Sequence, residues 1–381
     1  MKKYLKEVDL KTILIIFIGW KILIYSAYIF AFNFMKLNGT NFLGGGFKNY
    51  TNFPFVFSWA NFDGEHYLSI ALIGYKGLEQ AFFPAYPLLI RVLSLPFEQN
   101  QLAIVITGLI ISNLAYFISL VFLWKLIILD FNKQVAFWTC IILTFFPTSF
   151  YFGSMYNESL FLLLTLAVFS LVRNNNIFIA SIFGFIATGT RIFGLLVLPS
   201  LILDLIKERK ISVKYFWFLI IPGGFVLYLF HQYLTVGDPL AFYKLQKLVG
   251  EQHQSGITFL PQVFIRYVNI LITVDPNNLI YQTMVLEVVT AIGFFLLPIY
   301  GFFKGLRWSY VFFAFFSFLM PTIQGSFSSI PRYIIVFFPS LIALSILLTK
   351  FPKWFRILFI SISAVWLFCE TALFLRGYWV A

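Results

Sequence analysis

Acidic residues and cysteines are both scarce in this chain. Asp and Glu together number 15 of 381 residues, and the two cysteines, Cys140 and Cys369, each lie inside an apolar run. They provide neither a disulfide framework nor a metal-ligand spacing. The three histidines, His66, His231 and His253, lie far apart and also lack the spacing of a zinc site. The few carboxylates are therefore the first candidates for chemistry.

A long soluble-like stretch is missing as well. Hydrophobic residues make up 60% of the chain and charged residues 11%, with a mean hydropathy of +0.89. A helix needs about 20 apolar residues to cross a bilayer, and the chain contains many such runs. A soluble domain of this length could not bury so much apolar surface. The sequence predicts an all-α polytopic membrane protein, with residues 1–381 forming a single transmembrane domain.

The net charge of +12 follows the expected topology. If the spans alternate, the basic clusters all fall on one side: Lys2, Lys3, Lys6 and Lys11; Lys125 and Lys133; Arg173; Lys207, Arg209, Lys210 and Lys214; Lys304 and Arg307; Lys350, Lys353 and Arg356. This is the positive-inside pattern of membrane proteins, so we expect no nucleic acid among the partners. The N-terminus lacks a small-residue cleavage site after its apolar stretch, which favours a retained first helix over a removed signal peptide.

The apolar runs predict about eleven membrane helices, with the N-terminus cytoplasmic and the C-terminus outside. They cover about 10–34, 102–124, 134–150, 157–172, 176–189, 191–206, 213–233, 281–303, 308–323, 331–349 and 355–375. The short pieces between 134 and 206 would be tolerated at membrane depth where they line a cavity buried in protein. Two long segments lie outside, a first external loop over about 35–101 and a second over about 234–279. Within the first loop, 64–73 and 85–95 predict helices in the interface plane.

The first external loop carries the strongest candidate for chemistry, an acidic and aromatic stretch at 59–67. Aromatic neighbours would partly desolvate the carboxylate of Asp63, which suits a general base; the alternative is a helix N-cap and nothing more. Glu65 could orient the acceptor, bind a metal together with Asp63, or only favour the positive helix N-terminus. His66 is either catalytic or an ordinary residue of an interfacial helix.

Cations on the predicted outer side run against the charge bias of the chain. Four arginines are the main candidates among them: Arg91, Arg191, Arg266 and Arg332. Charged groups at membrane depth are costly and tend to be functional, and arginine binds phosphate through its planar fork. The alternative for each is an arginine that snorkels into the headgroups. Glu158 begins a span beside Tyr156 and could pair with one of these arginines, or be only an N-terminal helix charge.

Six short segments along the chain carry a resemblance to a known family. They are Phe62-Asp-Gly-Glu-His-Tyr-Leu-Ser-Ile-Ala-Leu-Ile-Gly-Tyr75 with Ala81-Phe-Phe-Pro-Ala-Tyr-Pro-Leu-Leu-Ile-Arg91, then Tyr156-Asn-Glu-Ser, Thr190-Arg-Ile-Phe-Gly, Gly237-Asp-Pro and Ser329-Ile-Pro-Arg-Tyr333. In these residues, over roughly 55–340, the chain resembles the PIG-V-type mannosyltransferases and their prokaryotic relatives. The first block is specific, whereas the later blocks are individually weak but correctly ordered.

The resemblance implies a GT-C-type bundle, a polyprenyl-phosphate sugar donor and a catalytic carboxylate in the first external loop. We therefore predict a hexosyltransferase, with mannose as the expected sugar, that acts outside the cytoplasm with inversion. Asp63 is the predicted general base, with Glu65 as a second catalytic residue. The predicted substrate-binding residues are His66, Tyr67, Arg91, Tyr156, Glu158, Arg191, Arg332 and Tyr333.

The expected partners are the polyprenyl-phosphate sugar donor, a lipid or glycan acceptor and the lipid bilayer, either the plasma membrane of a prokaryote or the endoplasmic reticulum. No cofactor is required and no metal ligand is assigned, although a divalent cation stays an option. The main alternative function is a transporter or flippase of a lipid or lipid-linked sugar. That alternative needs a polar path through the whole membrane, whereas the unusual polar residues concentrate on one face. A non-catalytic scaffold would need neither the acidic pair nor the outer arginines.

Overall fold

The structure, a computed structural model, describes residues 8–209, 212–249 and 258–380. Within these ranges the regular elements are helices. In chain order they are α1 Leu10–Phe34, α2 Gly46–Asn52, α3 Pro54–Phe57, α4 Asp63–Ile73, α5 Ala85–Ser94, α6 Gln101–Ile127, α7 Lys133–Thr144, α8 Glu158–Arg173, α9 Ile177–Thr188, α10 Val197–Glu208, α11 Gly223–Val236, α12 Ala241–Val249, α13 Leu260–Thr273, α14 Leu279–Phe303, α15 Trp308–Thr322, α16 Ile330–Tyr333, α17 Phe338–Leu348 and α18 Lys353–Leu375. Short 3₁₀ turns join several of them.

Five helical runs are long and apolar enough to cross a membrane. They are α1, α6, Val213–Val236, α14 and α18. Several further apolar helices, such as α7, α9 and α15, have 10–17 residues and are shorter than a full span. Most of the helices begin and end within a few residues of the predicted boundaries because apolar runs bounded by polar residues are strong local signals. The helix predicted over 134–150 is an exception, since α7 ends at Thr144. How many of them cross the bilayer, about eleven in the prediction, stays a prediction.

One predicted span is broken. The sequence predicts a continuous helix over 331–349, but Ile330–Val336 and Phe338–Leu348 meet at an angle of 87°. Pro339 lies in the first turn of α17, where it has no N–H to continue the preceding hydrogen-bond ladder. Irregular backbone is tolerated at membrane depth when protein surrounds it, and the break at Phe337 is fully buried. The prediction of a straight helix is wrong here, since hydropathy does not register a bend inside a buried apolar run.

The first and second external segments pack against each other. The backbone carbonyl of Gln80, in the first segment, accepts hydrogen bonds from the Tyr228 hydroxyl at 2.6 Å and from the Gln232 side chain at 2.9 Å, both on α11, which leads into the second segment. The Phe83 ring packs edge-on against Phe242 of α12. The two predicted interfacial helices of the first segment are present as α4 and α5. Both segments therefore lie at the same end of the bundle.

The basic loops meet at the other end. The two N–H groups of Arg173 bind the carboxylate of Asp130 at 2.7 and 2.9 Å. Arg307 binds Asp204 at 3.0 Å, and a cavity of about 90 Å³ lies between these side chains. The separation of acidic-aromatic and basic ends agrees with alternating spans, while the assignment of each end to a side of the membrane stays a prediction.

Candidate active site

Asp63 and Arg332 form an ion pair, although 269 positions separate them in the chain. Asp63 Oδ2 lies 2.7 Å from Arg332 Nη1. The Asp63 side chain keeps 23% of its surface exposed, whereas Arg332 keeps 10%. Asp63 therefore forms the accessible end of a pair whose cation is held inside the protein.

A second pair lies directly behind the first. Glu158 Oε1 lies 2.8 Å from Arg191 Nη1 and 3.7 Å from Arg332 Nε. Glu158 is almost completely buried, with 2% of its side chain exposed. Four charges of alternating sign thus form a row, Asp63–Arg332–Glu158–Arg191. The charges in this four-residue cluster, which we call the charge row, sum to zero, as burial of ions requires.

Backbone and side-chain hydrogen bonds hold the contributing segments together. The N–H of Met155 bonds the Trp59 carbonyl at 2.9 Å, which joins the turn before α8 to the first external loop. The Asn157 amide donates to the Thr190 carbonyl at 3.0 Å, and the Thr148 hydroxyl donates to the Pro331 carbonyl at 2.6 Å. Segments from four distant parts of the sequence therefore meet around the charge row.

The turn that carries Arg191 depends on a glycine. Gly194 lies in the 3₁₀ turn Ile192–Leu196, which folds back on the end of α9. A Cβ at this position would lie 2.7 Å from the backbone of Ala187, which is closer than real Cβ contacts occur. Only glycine allows this approach, and the approach places Arg191 beside Asn157, whose Oδ1 lies 3.1 Å from Arg191 Nη1.

Asp63 is the first residue of α4 and follows a strained one. Phe62 has φ 56° and ψ −118°, a region that residues other than glycine seldom adopt. Its N–H bonds the Phe42 carbonyl at 2.8 Å, and its ring packs on Phe374 and Trp379. No side chain caps α4, so the reading of Asp63 as a helix N-cap is wrong. Its carboxylate is turned toward Arg332 instead, and the packing around Phe62 stabilises that orientation.

Aromatic rings surround both guanidinium groups. The Tyr333 ring lies 5.3 Å from Arg191 and 5.1 Å from Arg332, and it is partly exposed. The Tyr156 ring lies 5.8 Å from Arg332, while its hydroxyl donates to the Asn61 carbonyl at 2.9 Å. Cation–π contacts of this kind stabilise a desolvated cation by about 2 kcal/mol. The Tyr156 ring therefore stabilises Arg332, while the Tyr156 hydroxyl bonds the backbone of the first external loop.

Tyr67 is buried beside the charge row. Burial raises the pKa of its hydroxyl well above the usual range, and the carboxylates of Glu158 and Asp63 act in the same direction. Tyr67 is therefore neutral, and its ring packs edge-on against Tyr86 and Phe82. It forms part of the wall of the site.

Three predicted site residues lie away from the charge row. His66 stacks on Phe82 at 4.7 Å, and its Nδ1 lies 4.0 Å from Glu79. Burial raises the pKa of Glu65, with a further increase from Glu79 and an opposing effect from His66. Arg91 is exposed and lies near Gly74, at the far end of the 11-residue α4. At 1.5 Å per residue this is roughly 15 Å from Asp63, so the structure does not bring Arg91 to the charge row.

Two residues of the site were not predicted from sequence. Asn157 bonds both Arg191 and the Thr190 carbonyl, and Tyr151 places its ring 5.6 Å from Arg332. Asn157 lies inside Tyr156-Asn-Glu-Ser, where a polar residue next to a carboxylate at the start of a span was the available signal. Within the described ranges, no three His, Cys, Asp or Glu side chains converge as a metal site would need.

Chemically, the charge row offers an accessible carboxylate next to a cation with unused donors. Arg332 has five N–H donors, and only Nη1 makes a short bond, to Asp63. Its Nη2 lies 3.4 Å from the Tyr333 hydroxyl, and its Nε has no hydrogen-bond partner among the described residues. The ion pair therefore combines a carboxylate that could accept a proton with a guanidinium that could bind an anion.

Comparison with solved structures reveals a similar fold in another protein. The apo oligosaccharyltransferase of Archaeoglobus fulgidus superposes with a TM-score of 0.50 and 12% identity, over 97% of this chain and 56% of that chain. The same enzyme tethered to an acceptor peptide with an NVT sequon gives a TM-score of 0.46 at 13% identity, over 94% and 55%. The chain spans just over half the length of these structures. The likeness shows the fold, and it confirms the predicted all-helical GT-C-type membrane bundle.

Comparison by sequence identifies the family. No curated protein matches the chain significantly. The family model described as mannosyltransferase (PIG-V) matches residues 13–214, which include Asp63, Glu158 and Arg191. That match covers more than half of the 381 residues. Together with the apolar helices, it identifies a multi-pass membrane protein, and the chain belongs to the PIG-V mannosyltransferase family.

Proposed function

We propose that this protein is a membrane mannosyltransferase that moves a hexose from a polyprenyl-phosphate donor to an acceptor hydroxyl. The reaction takes place outside the cytoplasm, at the end of the bundle that carries the charge row. The observation that carries the proposal is the contact between Asp63 and Arg332, an accessible carboxylate joined to a buried cation. Family membership supports the sugar-transfer chemistry.

Asp63 acts as the general base. Its carboxylate takes the proton of the acceptor hydroxyl while the hydroxyl oxygen forms a bond to the anomeric carbon. The bond between that carbon and the donor phosphate oxygen breaks, and its electron pair leaves with the lipid phosphate. Attack from the face opposite the phosphate inverts the anomeric configuration, so no covalent enzyme intermediate forms. The partial exposure of Asp63 supports this role, since an acceptor hydroxyl must reach it.

Arg332 stabilises the charge that develops on the leaving phosphate. Donors placed in a partly buried site stabilise such charge strongly, and Nη2 of Arg332, whose contact with the Tyr333 hydroxyl is long at 3.4 Å, can turn to a phosphate oxygen. Nε is buried beside Glu158 and contributes through its charge. Arg191 lies on the other side of Glu158 and presents its face to Tyr333, which contacts both arginines. Glu158 holds the two cations at fixed positions while the donor is absent.

The test uses the purified protein in lipid vesicles with polyprenyl-phosphate mannose and a hydroxyl acceptor. We expect Arg332→Ala to lower kcat/KM for the donor by about 10²–10³-fold, with partial recovery in Arg332→Lys because the planar fork is lost. Arg173→Ala is the matched control, since Arg173 is also paired with a carboxylate but lies at the opposite end of the bundle. Wild-type donor kinetics in Arg332→Ala would overturn the phosphate role.

Three further measurements separate this proposal from its alternatives. NMR of the product gives the anomeric configuration, and retention would exclude the single-displacement mechanism. Addition of EDTA tests whether a divalent cation takes part. Movement of the donor across the vesicle membrane without formation of a glycosylated product would instead identify the transporter alternative.

A further inference from the structure

A buried carboxylate outside the charge row contacts the segment that carries Arg332. Glu287 lies inside the membrane-spanning helix α14 and is only 5% exposed. Its Oε1 accepts a hydrogen bond from the backbone N–H of Ser329 at 3.3 Å, and the Tyr267 hydroxyl lies beside its carboxylate. Ionisable groups inside membrane spans are costly and tend to be functional.

Helix α13 holds the same segment from the other side. The Tyr267 hydroxyl accepts the N–H of Phe327 at 3.0 Å and lies 3.2 Å from the Ser326 hydroxyl. The Tyr267 ring packs on Phe327 at 4.8 Å, and the neighbouring Arg266 donates to the Gly325 carbonyl. The Tyr267 hydroxyl therefore bonds two residues of this segment, Phe327 and Ser326, beside the Glu287 carboxylate.

The held segment needs such support because of its backbone. Ser329 adopts φ 61°, a left-handed conformation that is unfavourable for a residue other than glycine. The helix that follows, α16, is one turn long and bends by 87° into α17, so no long helix fixes the position of Arg332. Ser329 lies one turn before Arg332, and its conformation therefore sets where the guanidinium points.

We infer that Glu287 is a positioning residue for Arg332, acting through the backbone N–H of Ser329 with Tyr267 as its partner. This inference rests on the proposed function, in which Arg332 binds the donor phosphate. Loss of the Glu287 carboxylate releases Ser329 from its left-handed conformation and displaces Arg332 from the donor phosphate. Binding of the donor is affected, whereas the acceptor, which meets Asp63, is not.

The test compares Glu287→Leu, Glu287→Gln and Tyr267→Phe at matched folded fraction in vesicles. Glu287→Leu is expected to raise the donor KM at least tenfold while the acceptor KM changes by less than twofold. Glu287→Gln keeps a carbonyl oxygen for Ser329 and is expected to recover most of the loss. Tyr267→Phe removes only the hydroxyl and is expected to raise the donor KM at least threefold, and it serves if Glu287→Leu does not fold.

The control variant is Thr290→Val on the same helix. Thr290 is also buried, and its hydroxyl bonds only carbonyls of α14 itself, so neither KM should move. A double mutant adds a stricter condition. If Glu287 acts through Arg332, then Glu287→Leu causes no further rise in donor KM in an Arg332→Ala background. Two results would overturn the inference. One is a rise in donor KM from Glu287→Leu that is as large in the Arg332→Ala protein as in the wild type, and the other is a donor KM in Glu287→Leu equal to that of Thr290→Val.

A second readout does not depend on the donor. In a protein with the native cysteines replaced by serine, a cysteine at Tyr333 reports on α16 through its rate of reaction with a maleimide. Glu287→Leu is expected to raise that rate at least threefold, and an unchanged rate would overturn the positioning role. If the rate rises but Arg332→Ala keeps the wild-type donor KM, the phosphate role in the proposed function fails and the positioning of α16 by Glu287 stands.

Discussion

Replacement of Asp63 by Asn is the sharpest test of the charge row. Asn has the size of Asp and can still accept a hydrogen bond from Arg332, but it cannot take a proton from an acceptor hydroxyl at neutral pH. Loss of a general base typically lowers the rate about 10²–10⁴-fold. At 1.36 kcal/mol for each factor of ten, this corresponds to about 2.7–5.4 kcal/mol of transition-state stabilisation.

The same substitution also costs stability, and the structure sets the scale. Exposed ion pairs contribute about 0–1 kcal/mol, and breaking a buried pair costs about 3–5 kcal/mol. The Asp63 side chain is 23% exposed, and Arg332 keeps Glu158 at 3.7 Å as a second partner. We therefore expect a loss of about 1–2 kcal/mol, between these limits. A loss of that size lowers the folded fraction but cannot account for a hundredfold fall in turnover by the folded protein.

The matched control is Asp130→Asn, at the opposite end of the bundle. Asp130 pairs with Arg173 at the same 2.7 Å, and its side chain is 19% exposed. Both variants should lose a comparable amount of thermal stability in detergent. Turnover of a polyprenyl-phosphate sugar, measured per folded molecule, should collapse only in Asp63→Asn. Turnover within threefold of the wild type in Asp63→Asn would refute the base assignment and direct attention to Glu158 or Glu65.

Three other outcomes are expected. Because the pKa of Glu65 is raised in the folded state, the folded protein loses stability as pH rises from the usual Glu pKa through the raised one. Glu65→Gln should therefore have a higher apparent melting temperature than the wild type at pH 7 but not at pH 4. Glu158→Gln leaves two buried cations without their shared carboxylate, so it should lower the free energy of unfolding by about 3–5 kcal/mol and lower the melting temperature more than Asp63→Asn does. An equal fall in melting temperature for the two variants would contradict the central place of Glu158. In a cysteine-free background, a cysteine at Asn49 should react with an impermeant maleimide from outside and one at Arg209 only after permeabilisation, and the reverse pattern would invert the topology.

Much of the fold could be predicted from local sequence. Helix α1 has the predicted bounds, and α4 and α5 begin and end within one residue of theirs. These helices are recognisable because each signal lies within the segment itself. The signal is either an apolar run or an amphipathic run with Asp or Pro at its start or Gly at its end. The same holds for the list of polar candidates, since charged residues in a chain with 11% charge are easily recognised.

The roles of those candidates could not be read from the same signals. Glu65 and His66 neighbour Asp63 in sequence, yet they face Glu79 and Phe82, away from the charge row. A helix turns by about 100° per residue, so adjacent side chains point in different directions, and which direction meets Arg332 depends on how α4 packs. Arg91 lies at the same end of the bundle as the site but is a helix length away.

Hydropathy and charge act over a few neighbouring positions, so they were enough to predict the membrane bundle, the approximate bounds of most helices and the short list of polar residues. Tertiary structure alone decided that Asp63 pairs with Arg332, 269 positions away, and that Glu158 joins it to Arg191. It also decided the bend between α16 and α17 and the contact of Glu287 with Ser329. Burying charge is costly unless an opposite charge lies within a few ångströms. Only the packing of distant segments brings those partners together.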